Sequence, residues 1–154
     1  MSRRGQIVLS DDELAAFLDE ERVVTCATRG RDGWPHLMPL WYVVRGRTLW
    51  AWTYGKSQKV MNLRRDPRCT LQVEAGRDRY DQLRGVMVKA EAVLHDDVDT
   101  VHGLGVAIAE RYAGAALPDE ARDALRAQAT KRVALEFREV SRSTWDHRKL
   151  GGGY

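Results

Sequence analysis

Residues 49–67, LWAWTYGKSQKVMNLRRDP, change period part-way along, and that change decides the fold. From Thr48 to Tyr54 the side chains alternate, with Trp50, Trp52 and Tyr54 on one face and Leu49, Ala51 and Thr53 on the other, as in a strand. From Lys56 to Arg65 the spacing turns helical: Val60 and Leu63 are three apart, Ser57 stands where an N-cap would, and Asp66-Pro67 ends the turn. Gly55 to Lys59 thus lies where a strand feeds a short helix. At such a junction helix N–H groups lack intrahelical partners and the helix dipole attracts an anion. Lys56 and Lys59 bring charge, Ser57 a hydroxyl, and Asn62, about one turn beyond Lys59, an amide on the same side. The spacing is neither a Walker loop nor the glycine fingerprint of nicotinamide folds. Read alone, the segment fits an anion cradle or a capped, solvated helix.

Upstream, Ser10 and Glu13 frame a capping box for a helix over 11–20, whose apolar positions are Leu14, Phe17 and Leu18. Val23 to Thr28 reads as a strand, Arg29 to Gly33 as a glycine-rich turn, and Pro35 to Val44 as the returning strand, which Arg45-Gly46-Arg47 links to the next. Downstream, Cys69 to Glu74 and Leu83 to Leu94 are two further strands. Asp96 to Tyr112 is predicted helical despite Gly103 and Gly105, Pro118-Asp119-Glu120 opens another helix, and Val133 to Val140 alternates like a last strand. Trp145 to Lys149 is then a polar segment after that strand. This order lacks the regular β-α-β alternation of dinucleotide folds. It predicts a mainly β chain, an antiparallel barrel with helices outside, forming one domain over residues 1–150 with a flexible tail at 151–154.

With 154 residues the chain is long enough for one sizeable core. No apolar run approaches the roughly 20 residues that span a bilayer, and the start lacks a signal-peptide stretch, so no membrane is expected and a cytoplasmic location is. Cys26 and Cys69 sit in β-branched surroundings and read as buried free thiols. His36, His95, His102 and His147 have no metal-ligand spacing with each other or with the cysteines, so no metal site is predicted. The formal charge is only +3, but basic residues gather at Arg3 and Arg4, from Lys56 to Arg68, and at Arg142, Arg148 and Lys149. That distribution suits a phosphorylated or polyanionic small molecule. Nucleic-acid binding would need aromatics interleaved with the cations, whereas here they lie in core-like strands.

Three blocks in order, Gly33 to Tyr42 (GWPHLMPLWY), Leu49 to Thr53, and Lys56 to Arg68, resemble the pyridoxamine 5′-phosphate oxidase-like split-barrel family over residues 10–95. With Tyr80, Leu83-Arg84-Gly85 and Trp145, the sequence is most similar to the actinobacterial branch that binds the deazaflavin coenzyme F420. The resemblance implies an FMN-binding type of split barrel, homodimeric, with two equivalent cofactor sites at the subunit interface, each closed by the opposite subunit. The ring would lie against Pro39, Leu40 and Trp41, bordered by Trp41 and Trp52. The phosphate would be held by Lys56, Ser57, Lys59 and Asn62, with Thr53 at the phosphate or the ribityl chain. Because Trp52 and Thr53 fall on opposite faces of one strand, only one of those two roles can hold, and Thr53 is preferred.

The activity so implied is hydride transfer between coenzyme F420 and a small unsaturated or heterocyclic substrate, the cofactor supplying the chemistry and the protein position and electrostatics. The alternatives are FMN in the same role, or a carrier that binds the coenzyme without fast turnover. Oxidation of pyridoxamine phosphate itself is disfavoured, because no substrate-phosphate set of arginines and histidine matches near the carboxyl end, though Arg142, His147 and Arg148 leave it open. The deazaflavin carries a polyglutamate tail, which Arg3, Arg4 and Arg64 to Arg68 would attract; FMN has none. No single residue stands out as the proton donor, and hydrolysis finds no support in Ser141 or Ser143.

Overall fold

A computed structural model describes residues 3–151. Six strands close into an antiparallel barrel in the order β1-β2-β3-β6-β5-β4, where β1 is Val23–Arg29, β2 Pro35–Arg45, β3 Thr48–Tyr54, β4 Arg68–Ala75, β5 Arg84–His95 and β6 Arg132–Asp146. The flanking helices are α1 (Arg3–Gln6), α2 (Asp11–Glu20), α3 (Gln58–Arg65), α4 (Val98–Ala113) and α5 (Asp119–Ala129). The mainly β, antiparallel barrel with helices outside is therefore the observed architecture. The tail expected at 151–154 falls, apart from Gly151, outside the described residues.

Alternation sends Val24, Cys26, Leu40, Tyr42, Leu49, Ala51, Leu71, Val73, Val86 and Val88 inward to fill the barrel. A second apolar cluster lies outside the wall, where Val101, Leu104 and Ile108 of α4 cover Val43, Trp50, Trp52 and Ala134. α4 approaches β3 closely because Gly105 has no side chain: a Cβ there would lie 2.5 Å from the Trp52 ring. The capping box of α2 is present, with both the Ser10 and Glu13 side chains bonded to backbone N–H groups.

Arg111 of α4 ties the end of α2 to the barrel. Its guanidinium donates to the carbonyls of Leu18, Asp19, Glu21 and Tyr42. Three of these belong to the last turn of α2 or just beyond it, where carbonyls lack helical partners. Tyr42 is fully buried, its hydroxyl 2.6 Å from the Leu18 carbonyl and 3.0 Å from that of Glu21, and burial pushes its pKa up to about 12.

The structure corrects several boundaries. α3 begins at Gln58 rather than Lys56, and α4 spans Val98–Ala113, its start capped by Asp97, whose carboxylate accepts from the Thr100 N–H. Pro118 is the N-cap of α5, not its first-turn residue. β6 runs on to Asp146, so Trp145 and Asp146 are strand, and Asp146 is buried. Beyond Val140 both faces of β6 are polar or half-exposed, and the alternation fades although pairing with β5 continues to Arg84 opposite Asp146. A register shift at Lys89/Ala90 accommodates the long pair.

Candidate functional site

The junction between β3 and α3 packs against one end of the barrel, and its residues divide between the interior and the surface. Lys59 is 7% exposed and its ammonium donates to Thr53 Oγ1 at 3.1 Å. Among the described residues no carboxylate pairs with it, and burial holds its pKa below the ordinary lysine value, partly offset by the Cys26 thiol. A buried cation with no counter-charge is costly unless something anionic is supplied. Ser57 occupies the N-cap of α3 in extended conformation, yet its side chain makes no cap hydrogen bond, and its Oγ is buried with no partner. Most buried hydroxyls are paired, so this donor also wants an acceptor.

Two backbone amides ahead of the helix are already satisfied. Gly55 N–H donates to the carbonyl of Lys131 at 2.9 Å and Ser57 N–H to that of Tyr54 at 3.0 Å. What remains is the first turn of α3, whose N–H groups have no intrahelical acceptor. Lys56 is exposed and has no hydrogen bond or ion pair among the described residues. Asn62 shares the buried face of α3 with Lys59, as its spacing predicts, but its amide is committed inside the protein. Nδ2 donates to Thr28 Oγ1 at 3.1 Å and Oδ1 accepts from Gln58 Nε2 at 2.9 Å. Asn62 thus fastens α3 to β1, with one amide N–H and its carbonyl oxygen engaged inside the protein.

The ring-side candidates separate by parity. Pro39 and Trp41 face outward from β2, and Trp41 is 55% exposed, while Leu40 is buried in the barrel core and leaves only its backbone for a ligand outside. Trp52 is withdrawn from the site: it packs on α4 and lies under the Arg132 guanidinium, 4.3 Å from the ring centre. Thr53, on the opposite face, is the one that touches Lys59, as strand alternation predicts. Trp41 stacks on Tyr112 of α4, centroids 4.1 Å apart and planes 12° off parallel, a partner that nothing local in the sequence signals.

Two clefts lie along α3, the first at its start and the second at its end. One of about 410 Å³ is bordered by Gln58, Asn62, Arg31, Trp34 and His36, and the Nδ1 of His36 is buried without a partner. The other, about 740 Å³, brings Arg29, Arg31, Arg65 and Arg68 together with Asp32 and Asp66, and shares the turn Gly30 to Asp32 with the first. Asp66 is bound by both nitrogens of the Arg68 fork, which holds its carboxyl down to about 2. A more apolar cavity of about 450 Å³ lies over Ala27, Thr70, Ala90 and Val140, lined also by Lys89 and sharing Arg29 and Arg68 with the arginine cleft. None of the eight residues predicted for the cofactor lines it. Both cysteines are free and buried, as expected; Cys69 Sγ donates to the Ala90 carbonyl, and its interaction with the Cys26 thiol, added to burial, pushes the Cys69 pKa up. His147, in the short turn after β6, sits edge-on to Tyr80.

Residues 10–142 match the model of the pyridoxamine 5′-phosphate oxidase family. The chain belongs to that family. Its fold superposes on the conserved hypothetical protein Rv2991 from Mycobacterium tuberculosis with a TM-score of 0.90 at 40% identity, covering 100% of this chain and 95% of that one. A protein described as an F420 reductase matches with a TM-score of 0.67 at 21% identity, over 88% of this family member and 98% of the other. An FAD-binding protein from Mesorhizobium loti matches with 0.66 at 20%, over 89% and 94%. At these last two identities the likeness is one of fold. Among curated proteins none matches the chain. Members of this split-barrel fold thus include flavin- and deazaflavin-associated proteins. No helix among the described residues is long and apolar enough to cross a membrane.

Proposed function

We propose that this family member is an oxidoreductase that holds coenzyme F420 with its phosphate at the head of α3 and its ring toward Pro39 and Trp41. The observation that carries the reading is the pairing of a buried, carboxylate-free Lys59 with the orphaned Oγ of Ser57. Both lack what a phosphate monoester or diester supplies, negative charge and acceptor oxygens, and Lys56 stands beside them at the surface. Thr53 and Asn62 then act from behind, Thr53 by orienting the Lys59 ammonium and Asn62 by fixing α3. When bound, the coenzyme supplies hydride transfer to or from a small unsaturated or heterocyclic molecule. The chain's own part is to hold the phosphate, present a flat wall to the ring and keep cations near it.

The deazaflavin is favoured over FMN by the cleft at the far end of α3, where four arginines outnumber two aspartates, which suits a polyanionic tail that FMN lacks. The protein is proposed to act as a homodimer in the cytoplasm, the partner covering the exposed outward side of β2. The test is a fluorescence titration of the purified protein with coenzyme F420 and with FMN. Saturable binding of F420, weakened at least tenfold by K56A/K59A, is the expected result. Equal affinity of the parent and the double variant would sink the phosphate site, and preference for FMN would reassign the cofactor.

A further inference from the structure

Trp41 is an exposed indole on the outer face of β2, and an exposed side chain ordinarily samples several rotamers. Here it is not at liberty. The Tyr112 ring covers one of its faces at 4.1 Å, and Tyr112 is itself pinned through its hydroxyl. That hydroxyl donates to the carbonyl of Arg22 and accepts from the N–H of Tyr42 at 3.0 Å. Tyr42 directly follows Trp41, and Arg22 directly precedes Val23, the residue opposite Trp41 on β1. The Tyr112 ring is therefore anchored to the backbone on both sides of the position it supports. Arg111 strengthens the anchor, donating to the Tyr42 carbonyl at 2.6 Å, with its guanidinium 5.4 Å from the Tyr112 ring centre; that of Arg22 lies at 5.6 Å. With one face of the indole against Tyr112 and 55% of the residue still exposed, the surface left to solvent is the opposite face and the edges.

We infer that Tyr112 is a positioning residue: it sets the Trp41 indole as a fixed wall on whose open face the planar ring of the bound cofactor stacks. The inference rests on the cofactor reading above and adds to it a residue from α4, seventy-one positions along the chain from Trp41. A pre-set wall removes the cost of ordering a free indole when the ring arrives, so Tyr112 acts on affinity through Trp41 alone.

A double-mutant cycle tests this, with affinity and fluorescence of the bound ring read by titrating F420 and FMN. Y112L in the parent is expected to weaken binding about three- to tenfold, the range of one aromatic stacking pair, and to relieve quenching of the ring by Trp41. In a W41L background the same Y112L change is expected to do nothing further. Equal losses in both backgrounds, or no loss in the parent, overturn the positioning role and leave the cofactor reading intact. Absence of saturable binding in the parent overturns both. If thermal melts show Y112L unfolded, the cycle is run with Y112F, which keeps the ring and removes the hydroxyl that anchors it; a loss of about twofold confined to the Trp41 background supports the proposal, and any loss independent of Trp41 overturns it.

Discussion

Lys59 is the residue at which stability and binding pull in opposite directions. Its ammonium is buried against one hydroxyl, and its lowered pKa means that the charged form is disfavoured in the folded chain. K59M keeps the length of the side chain and removes the charge. The variant is expected to melt no more than about 1 kcal/mol below the parent, or above it, while losing phosphate-dependent binding; a large fall in stability would show that the charge is structural. Tyr42 gives the complementary case. An unfolded tyrosine ionises near 10, the folded one near 12, so its contribution is complete below about pH 10 and is lost as pH rises toward 12. Y42F should cost about 1–2 kcal/mol at neutral pH through the lost hydroxyl contacts. It should also flatten the loss of stability between pH 10 and 12, which urea melts at stepped pH would follow. Neither effect is visible in the sequence, because the carbonyls that meet Tyr42 come from the end of α2, and the hydroxyl that meets Lys59 is legible only through the parity of β3.

At the scale of elements, α4 carries two glycines with opposite meanings. Gly105 faces the Trp52 ring so closely that a methyl group cannot enter without displacing that ring or α4, whereas Gly103 is exposed and a Cβ there meets nothing. G105A is expected to destabilise by about 1–3 kcal/mol despite its better helix propensity, and G103A to stabilise by up to about 1 kcal/mol. Thermal and urea melts of the pair check the sign of each; a neutral G105A would mean that α4 is not held against Trp52. The same contrast explains what the sequence could yield. Strands with one buried and one exposed face, β1 to β5, were readable to within a residue or two from alternation. The last third of β6 was not, since Arg142 and Ser143 point to opposite faces and both are polar, and only the partner β5 shows that pairing continues. In the site, the cluster of Lys56, Ser57 and Lys59 was readable from composition. The loss of the Gly55 amide to Lys131, the bond from Asn62 to Thr28 and the Tyr112 ring under Trp41 all depend on closure of the barrel, which brings distant segments together.

For the molecule as a whole, the decisive question is what covers the outer side of β2. Leu37 and Trp41, on the same outward parity of β2 with Pro39 between them, are 57% and 55% exposed, Trp34 on the approach to the strand is 75% exposed, and large apolar patches on a protein surface mark interaction sites. A second copy of the same chain, joined by a two-fold axis, would pair this patch with itself, and such isologous contacts are the commonest route to a dimer. The parent is then expected to sediment at twice the 17.5 kDa chain mass. L37D places a charge in the middle of the patch, where Leu37 is 57% exposed in the single chain and contributes nothing to the barrel core. The variant should therefore keep its melting temperature and far-UV circular dichroism at low concentration while sedimenting as one chain. Because a ligand held between two subunits binds only the assembled form, adding cofactor should restore part of the dimer by mass action, and cofactor affinity of L37D should rise with protein concentration. A parent that sediments as a single chain at 100 μM would remove the interface, and a dimer unaffected by L37D would place it on another face.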